Sequence, residues 1–210
     1  MTRKDEFLDI LLAWTGRAVS GTVGRWVNCE PSTRQRIYFA NHSSHLDILV
    51  LWASLPPDVR RLTRPAAAKD YWDKTPFRRY LALKVFNAIL IERREHGGSL
   101  RSALRSVENT VAGLGDRHSL IIFPEGTRRE GHEVGPFKTG IFHLAKRIPG
   151  IELVPVYMEN LNRILPKGEF FPVPLLSSIS FGPPLTLGDS ESKHDFVKRA
   201  RDAVIALGDG

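Results

Sequence analysis

The chain has 210 residues, 42% of them hydrophobic, and carries 30 Lys and Arg against 23 Asp and Glu for a net charge of +7. That length and apolar content suit one sizeable core rather than two, and a single cysteine excludes an intramolecular disulfide, as expected of a reducing compartment. No run of 18 uncharged apolar residues argues for a spanning helix, and the start Met-Thr-Arg-Lys-Asp-Glu lacks the pattern of a cleaved secretory signal.

In chain order, residues 1–28 read as an amino-terminal amphipathic helical segment ahead of an α/β domain over residues 29–210. Phe7, Leu8, Ile10, Leu11, Leu12 and Trp14, then Val19, Val23, Trp26 and Val27, suit one or two short helices interrupted near Gly16 and Gly21. Such a segment either rests on a membrane or packs on the core. Ile37 to Ala40 has strand character, and Leu46 to Ala53 is long and apolar enough for a buried helix, which puts His42 on a strand-to-helix turn. An unbroken helix through His42 and Asp47 would point them about 140° apart, so a pairing needs His42 ahead of the helix on a bent-back turn. Asn41, Ser43 and Ser44 are suitable caps for it. If the Asp47 carboxylate accepts from one ring nitrogen, the other can take a proton from an alcohol, and His42 becomes a general base. Two alternatives stay open on these residues alone. His42, His45 and Asp47 form a compact His-x2-His-x-Asp cluster that could hold a metal, and Ser43 or Ser44 could partner the histidine, although neither stands in a nucleophile-elbow sequence.

Further on, a basic stretch Arg60-Arg61-Leu62-Thr63-Arg64 precedes Tyr71 to Lys84, where aromatics alternate with cations. This mixing suits the headgroup level of an anionic bilayer, an acidic partner or a plain solvated face. Nucleic acid would also favour the charge, but no recognition motif for it is present. Leu100, Ala103, Leu104, Val107, Val111 and Leu114 recur at helical spacing, and Ser119 to Phe123 reads as a buried strand ended by Pro124. Glu125-Gly126-Thr127-Arg128 therefore falls on a loop at a strand's carboxyl end, where open α/β sheets place ligands. Gly126 permits close approach, Thr127 offers a hydroxyl, and Arg128 presents a donor fork suited to phosphate. A helix follows Phe137, strands cover Ile151 to Tyr157 and Ser177 to Phe181, a loop covers residues 162–171, and a final helix spans Phe196 to Leu207. The alternation predicts a single α/β domain whose partly parallel central sheet is flanked by helices.

His42-x4-Asp47, Ile89-Leu90-Ile91-Glu92-Arg93, Phe123-Pro124-Glu125-Gly126-Thr127-Arg128, Phe137-Lys138-Thr139-Gly140 and Val154-Pro155-Val156-Tyr157 follow one another in an order that resembles the glycerolipid acyltransferases, specifically the 1-acylglycerol-3-phosphate acyltransferase family. The resemblance covers about residues 37–185 and ends in Phe181-Gly182-Pro183-Pro184. It implies that His42 is the general base, that Asp47 orients it, and that an alcohol attacks an acyl thioester with no acyl-enzyme intermediate. It further implies that Arg93, Glu125, Gly126, Thr127, Arg128 and Lys138 bind or frame the acceptor's phosphate, and that Val154 to Tyr157 line the acyl region. The expected partners are a lysophospholipid acceptor, an acyl-CoA or acyl carrier protein donor as co-substrate with no further cofactor or metal, and a membrane met peripherally from its cytoplasmic face. Another lipid acceptor, such as a lyso-ornithine lipid, or a non-catalytic membrane or acyl-carrier binding module are the alternatives. Backbone N–H groups near Ser43 or in the Glu125 segment are candidates to meet charge on the thioester oxygen. Phe86 to Arg93 keeps the arginine of its motif but lacks the glycine and phenylalanine expected ahead of it.

Overall fold

A computed structural model describes residues 23–44, 47–92, 100–128, 133–159 and 177–209. The amino-terminal helices expected before residue 23, the loop at 162–171, His45 and Arg93 lie outside the described residues.

Within them a seven-stranded sheet has the order β1-β7-β6-β2-β5-β3-β4, where β1 is Val23–Trp26, β2 Arg36–Ala40, β3 Thr63–Ala68, β4 Ile89–Ile91, β5 Ser119–Ile122, β6 Glu152–Glu159 and β7 Ser178–Phe181. The five strands from β6 to β4 run parallel, while β7 is antiparallel to β6 and carries β1 parallel to itself at the edge. Helices supply the crossovers: α1 (Asp47–Ser54) and α2 (Pro57–Arg61) between β2 and β3; α3 (Lys69–Trp72), α4 (Pro76–Tyr80) and a π-helical turn (Leu81–Val85) between β3 and β4. Then α5 (Leu100–Leu114) leads into β5, α6 (Gly140–Arg147) into β6, and α7 (Lys193–Ala206) follows β7.

β2 is buried along its whole length, as a central parallel strand should be. Its alternation feeds two cores. Tyr38 and Ala40 face Val50, Leu51, Val59 and Phe181, whereas Ile37 and Phe39 face Val107, Leu144 and the Phe196, Ala200 and Val204 stripe of α7. Burial among apolar side chains pushes the Tyr38 phenol up to about 12, so it stays protonated.

The first strand corrects the extension of the amino-terminal helical segment over Val23, Trp26 and Val27. Val23–Trp26 pairs with Ser178–Phe181, and the Trp26 ring stacks on Phe181 at 4.1 Å. The apolar residues there serve a strand because an aromatic partner waits on the adjacent sheet edge, which no local periodicity reveals.

β3 was not legible as a strand, and it shapes the molecule most. Its first half, Thr63 to Pro65, pairs with Ser119 to Ile121 of β5; its second half, Ala66 to Ala68, pairs with Ile89 to Ile91 of β4. Pro65 has no N–H to give a ladder, and beyond it β3 and β5 no longer pair. A cleft opens between them at the carboxyl edge of the sheet.

Candidate active site

The carboxyl ends of β2, β5, β3 and β4 meet on one edge, and a largely apolar cavity of about 360 Å³ lies there. Ala66, Ala67 and Ala68 line it from β3, Ile122 and Phe123 from β5, so the cavity occupies the place where the two strands part. Small side chains at the split keep it open, and Val107, Ile141 and Leu144 wall it from α5 and α6. Its size falls within the range of small-molecule sites.

His42 lines this cavity on the turn between β2 and α1. The Asn41 side chain first finishes the sheet: its Nδ2 donates to the Met158 carbonyl at 2.9 Å and its Oδ1 accepts from Met158 N–H at 2.8 Å. The chain then bends, and Asp47, the first residue of α1 and wholly buried, aims its carboxylate back at the turn. Oδ2 accepts from the backbone N–H groups of Ser43 at 2.7 Å and Ser44 at 2.9 Å, and meets His42 Nδ1 at 2.7 Å. An oxygen that accepts from two N–H groups is an acceptor toward the ring as well and selects the Nδ1–H tautomer, leaving the Nε2 lone pair facing away from Asp47. The ring itself stacks on Phe123 at 4.3 Å, which fixes its plane. His42 thus stands ahead of the helix, the placement its pairing with Asp47 demanded.

Glu125 comes from the loop after β5 and is buried. Its Oε1 accepts from the His42 N–H at 2.9 Å and its Oε2 from the Gly135 N–H at 3.1 Å. The carboxylate therefore clamps the base's own backbone to the loop ahead of α6. Of the two roles expected of Glu125, binding or framing the acceptor's phosphate, these bonds are those of a frame: each oxygen takes a main-chain donor, and a buried carboxylate would repel a phosphate set directly against it.

Gly126 adopts φ +71°, and a Cβ there would lie 2.5 Å from Lys138 Nζ, so the lysine side chain crosses directly over the glycine. The Lys138 N–H also donates to the Pro124 carbonyl at 2.9 Å. Thr127, Arg128 and Lys138 line the same cavity as His42, with all three side chains on its exposed rim. Of the backbone donors expected to meet an oxyanion, the Ser43 and Ser44 N–H groups are engaged by Asp47 and the Gly126 N–H by the Phe123 carbonyl at 3.0 Å. Val154 to Tyr157 belong to β6, which β2 separates from β5; they fill the cores and do not line the cavity.

His143, which stands in none of the motifs, also lines the cavity, from α6. Burial, reinforced by Lys193, Lys146 and Arg147, pushes its imidazole below the ordinary value and favours the neutral ring.

No helix among the described residues is long and apolar enough to cross a membrane. The chain is similar to several known proteins. Over 180 residues, 84% of this chain, it is 26% identical to a 1-acyl-sn-glycerol-3-phosphate acyltransferase of Limnanthes douglasii, of which it covers 60%. It is 30% identical over 139 residues to the alpha enzyme of that name from Mus musculus, covering 66% of this chain and 45% of that one. The chain thus spans 60% or less of the length of these relatives. In fold it is similar to the crystal structure of the 1-acyl-sn-glycerophosphate acyltransferase PlsC from Thermotoga maritima, with a TM-score of 0.73, 20% identity, and coverage of 98% of this chain and 80% of that one. The acyltransferase family model matches residues 27–159, more than half of the sequence and inclusive of His42, Asp47 and Glu125 to Arg128, and the chain belongs to that family.

Proposed function

We propose that this protein transfers a fatty acyl group from an acyl thioester to the free hydroxyl of a lysophospholipid, 1-acylglycerol-3-phosphate, giving phosphatidic acid. One observation carries the reading: an imidazole oriented by a buried carboxylate and a set of cationic side chains line a single, mainly apolar cavity. The names of the relatives point to the same acceptor.

His42 Nε2 takes the proton of the acceptor hydroxyl as its oxygen attacks the thioester carbonyl carbon. Asp47 stabilises the imidazolium that forms. Collapse of the tetrahedral species breaks the C–S bond, and the thiol leaves with a proton returned from His42. A thioester is already activated, so base assistance of about 10² to 10⁴-fold together with substrate juxtaposition suffices without a covalent enzyme intermediate. Arg128 and Lys138 hold the phosphate and Thr127 adds a hydroxyl donor at the rim, while the apolar cleft between β3 and β5 takes acyl chain. The donor is acyl-CoA or an acyl carrier protein, the two substrates supply all the chemistry with no further cofactor, and the protein works peripherally at the cytoplasmic face of a membrane.

The test supplies purified protein with acyl-CoA and acyl carrier protein donors against 1-acylglycerol-3-phosphate, other lysophospholipids and a lyso-ornithine lipid, with products read by mass spectrometry. Phosphatidic acid as the dominant product is expected. Acylation confined to an acceptor without a phosphate would overturn the assignment of the Arg128 rim, and thioester loss with no acylated lipid would overturn acyl transfer.

A further inference from the structure

We propose that the outer face of α4 and the π-helical turn docks on an anionic lipid bilayer and holds the cavity mouth against it; the lipid it delivers rests on the acyltransferase reading, but the docking itself is tested without it. Among the described residues, the large hydrophobic side chains that stand exposed are Phe77 at 69%, Tyr80 at 38% and Leu83 at 37%. All three lie within seven residues, at successive steps of three, which on a helical surface sets them side by side along an arc of about 120°. Ala82, Val85 and Phe86 fill the inner side of the same segment and belong to the buried core, whereas the outer stripe does not.

Cations flank the stripe: Lys74, Arg79 and Lys84 are exposed, and Arg78 stands between Phe77 and Tyr80 in sequence. Bulky apolar groups that sink to the acyl boundary, ringed by cations at headgroup level, are the chemistry of an interfacial anchor on anionic lipid. An acidic protein surface would be met chiefly by open positive charge. Here the Arg79 guanidinium is engaged by Asp73 at 2.7 Å and the Arg78 guanidinium lies over the Tyr71 ring at 4.5 Å, while Phe77 is the most exposed of the large hydrophobic side chains. Tyr71 in turn lines the cavity that holds His42. The patch is therefore continuous with the site's mouth, where a lipid leaving the bilayer would enter.

The experiment uses the full chain carrying Cys29→Ser and Phe77→Cys, labelled at position 77 with an environment-sensitive fluorophore and mixed with phosphatidylglycerol vesicles. A several-fold rise and blue shift are expected, with little response to phosphatidylcholine and none from a label at Lys198→Cys on α7. Replacing Lys74 and Lys84 with Gln should weaken vesicle binding about 25-fold, at about fivefold for each cation near an anionic surface. Phe77→Ser with Leu83→Ser should slow acylation of vesicle-embedded lysolipid at least tenfold and leave a short-chain, monomeric lysolipid within twofold. A label at 77 that ignores vesicles, one already shielded without lipid, or one that responds only to acyl carrier protein each overturns lipid docking. A lipid response with no acylation of any lysolipid keeps the docking face and overturns the acyl-transfer reading.

Discussion

The His42 turn and the Arg128–Lys138 rim share one cavity but are held on different terms. Around His42, Asp47 and Glu125 are buried, with Asp47 Oδ2 and both Glu125 oxygens taking main-chain or imidazole N–H donors, so the base has one position and one tautomer. At the rim, Thr127, Arg128 and Lys138 are exposed, and Lys138 is located chiefly by lying across a glycine. Proton transfer needs the first kind of construction, since misplacement by about 1 Å can cost 10²-fold. A phosphate with three equivalent oxygens is served by the second. The contrast predicts kcat defects from one group and KM defects from the other.

Its strongest test is His42→Ala. Loss of the base should lower kcat by about 10² to 10⁴-fold. The fold should survive, with far-ultraviolet dichroism unchanged, at a cost of about 1–3 kcal/mol for leaving the buried Asp47 oxygen a donor short. Turnover near that of the parent in a clean assay would remove His42 from the chemistry.

Glu125→Gln comes next and separates clamp from phosphate ligand. An amide side chain has one oxygen for the two N–H groups that Glu125 receives, so the His42 backbone or the Gly135 loop loses its anchor. A fall in kcat of about tenfold to a hundredfold is expected, with the KM for the phosphate acceptor within about twofold. A raised KM with kcat kept would return Glu125 to the phosphate site.

Arg128→Ala should do the reverse. Charge-assisted contacts of about 1.5–3 kcal/mol translate to a KM for the acceptor raised about tenfold to a hundredfold, with kcat little changed at saturation. An unchanged KM would leave the rim without a role in binding phosphate.

The same contrast decided what was legible in the sequence. His42-x4-Asp47 and Glu125 to Arg128 could be found because their chemistry lies in residue types at short spacing, and the α/β class followed from strands alternating with long amphipathic helices such as Leu100–Leu114. The role of Glu125 could not be found, because its partners are N–H groups 83 and 10 residues away that every residue but proline possesses. β3 escaped because Arg64 and Pro65 hide its pattern and Ala66 to Ala68 carry no apolar alternation, although a proline followed by three small residues was a signal for a strand changing partners beside a cleft. The Val23–Trp26 strand escaped because its partner strand follows by more than 150 residues.

Gly126→Ala probes the seam between the two constructions and should have the smallest effect. The left-handed backbone at φ +71° costs a β-carbon about 1–2 kcal/mol, equivalent to a Tm drop of about 2–8 °C. The added methyl would also stand 2.5 Å from Lys138 Nζ, but that is the far end of a flexible side chain, which can swing aside. What is lost is the lysine's preset position, not its charge. Losing a surface ion pair of about 0.2–1 kcal/mol bounds the change in acceptor KM at about fivefold, and kcat should hold because His42 is anchored from Glu125 and Asp47 instead. A kcat loss as deep as that of Glu125→Gln would show that the glycine turn also steers the base, and the division between a fixed base and an adaptable rim would fail at this residue.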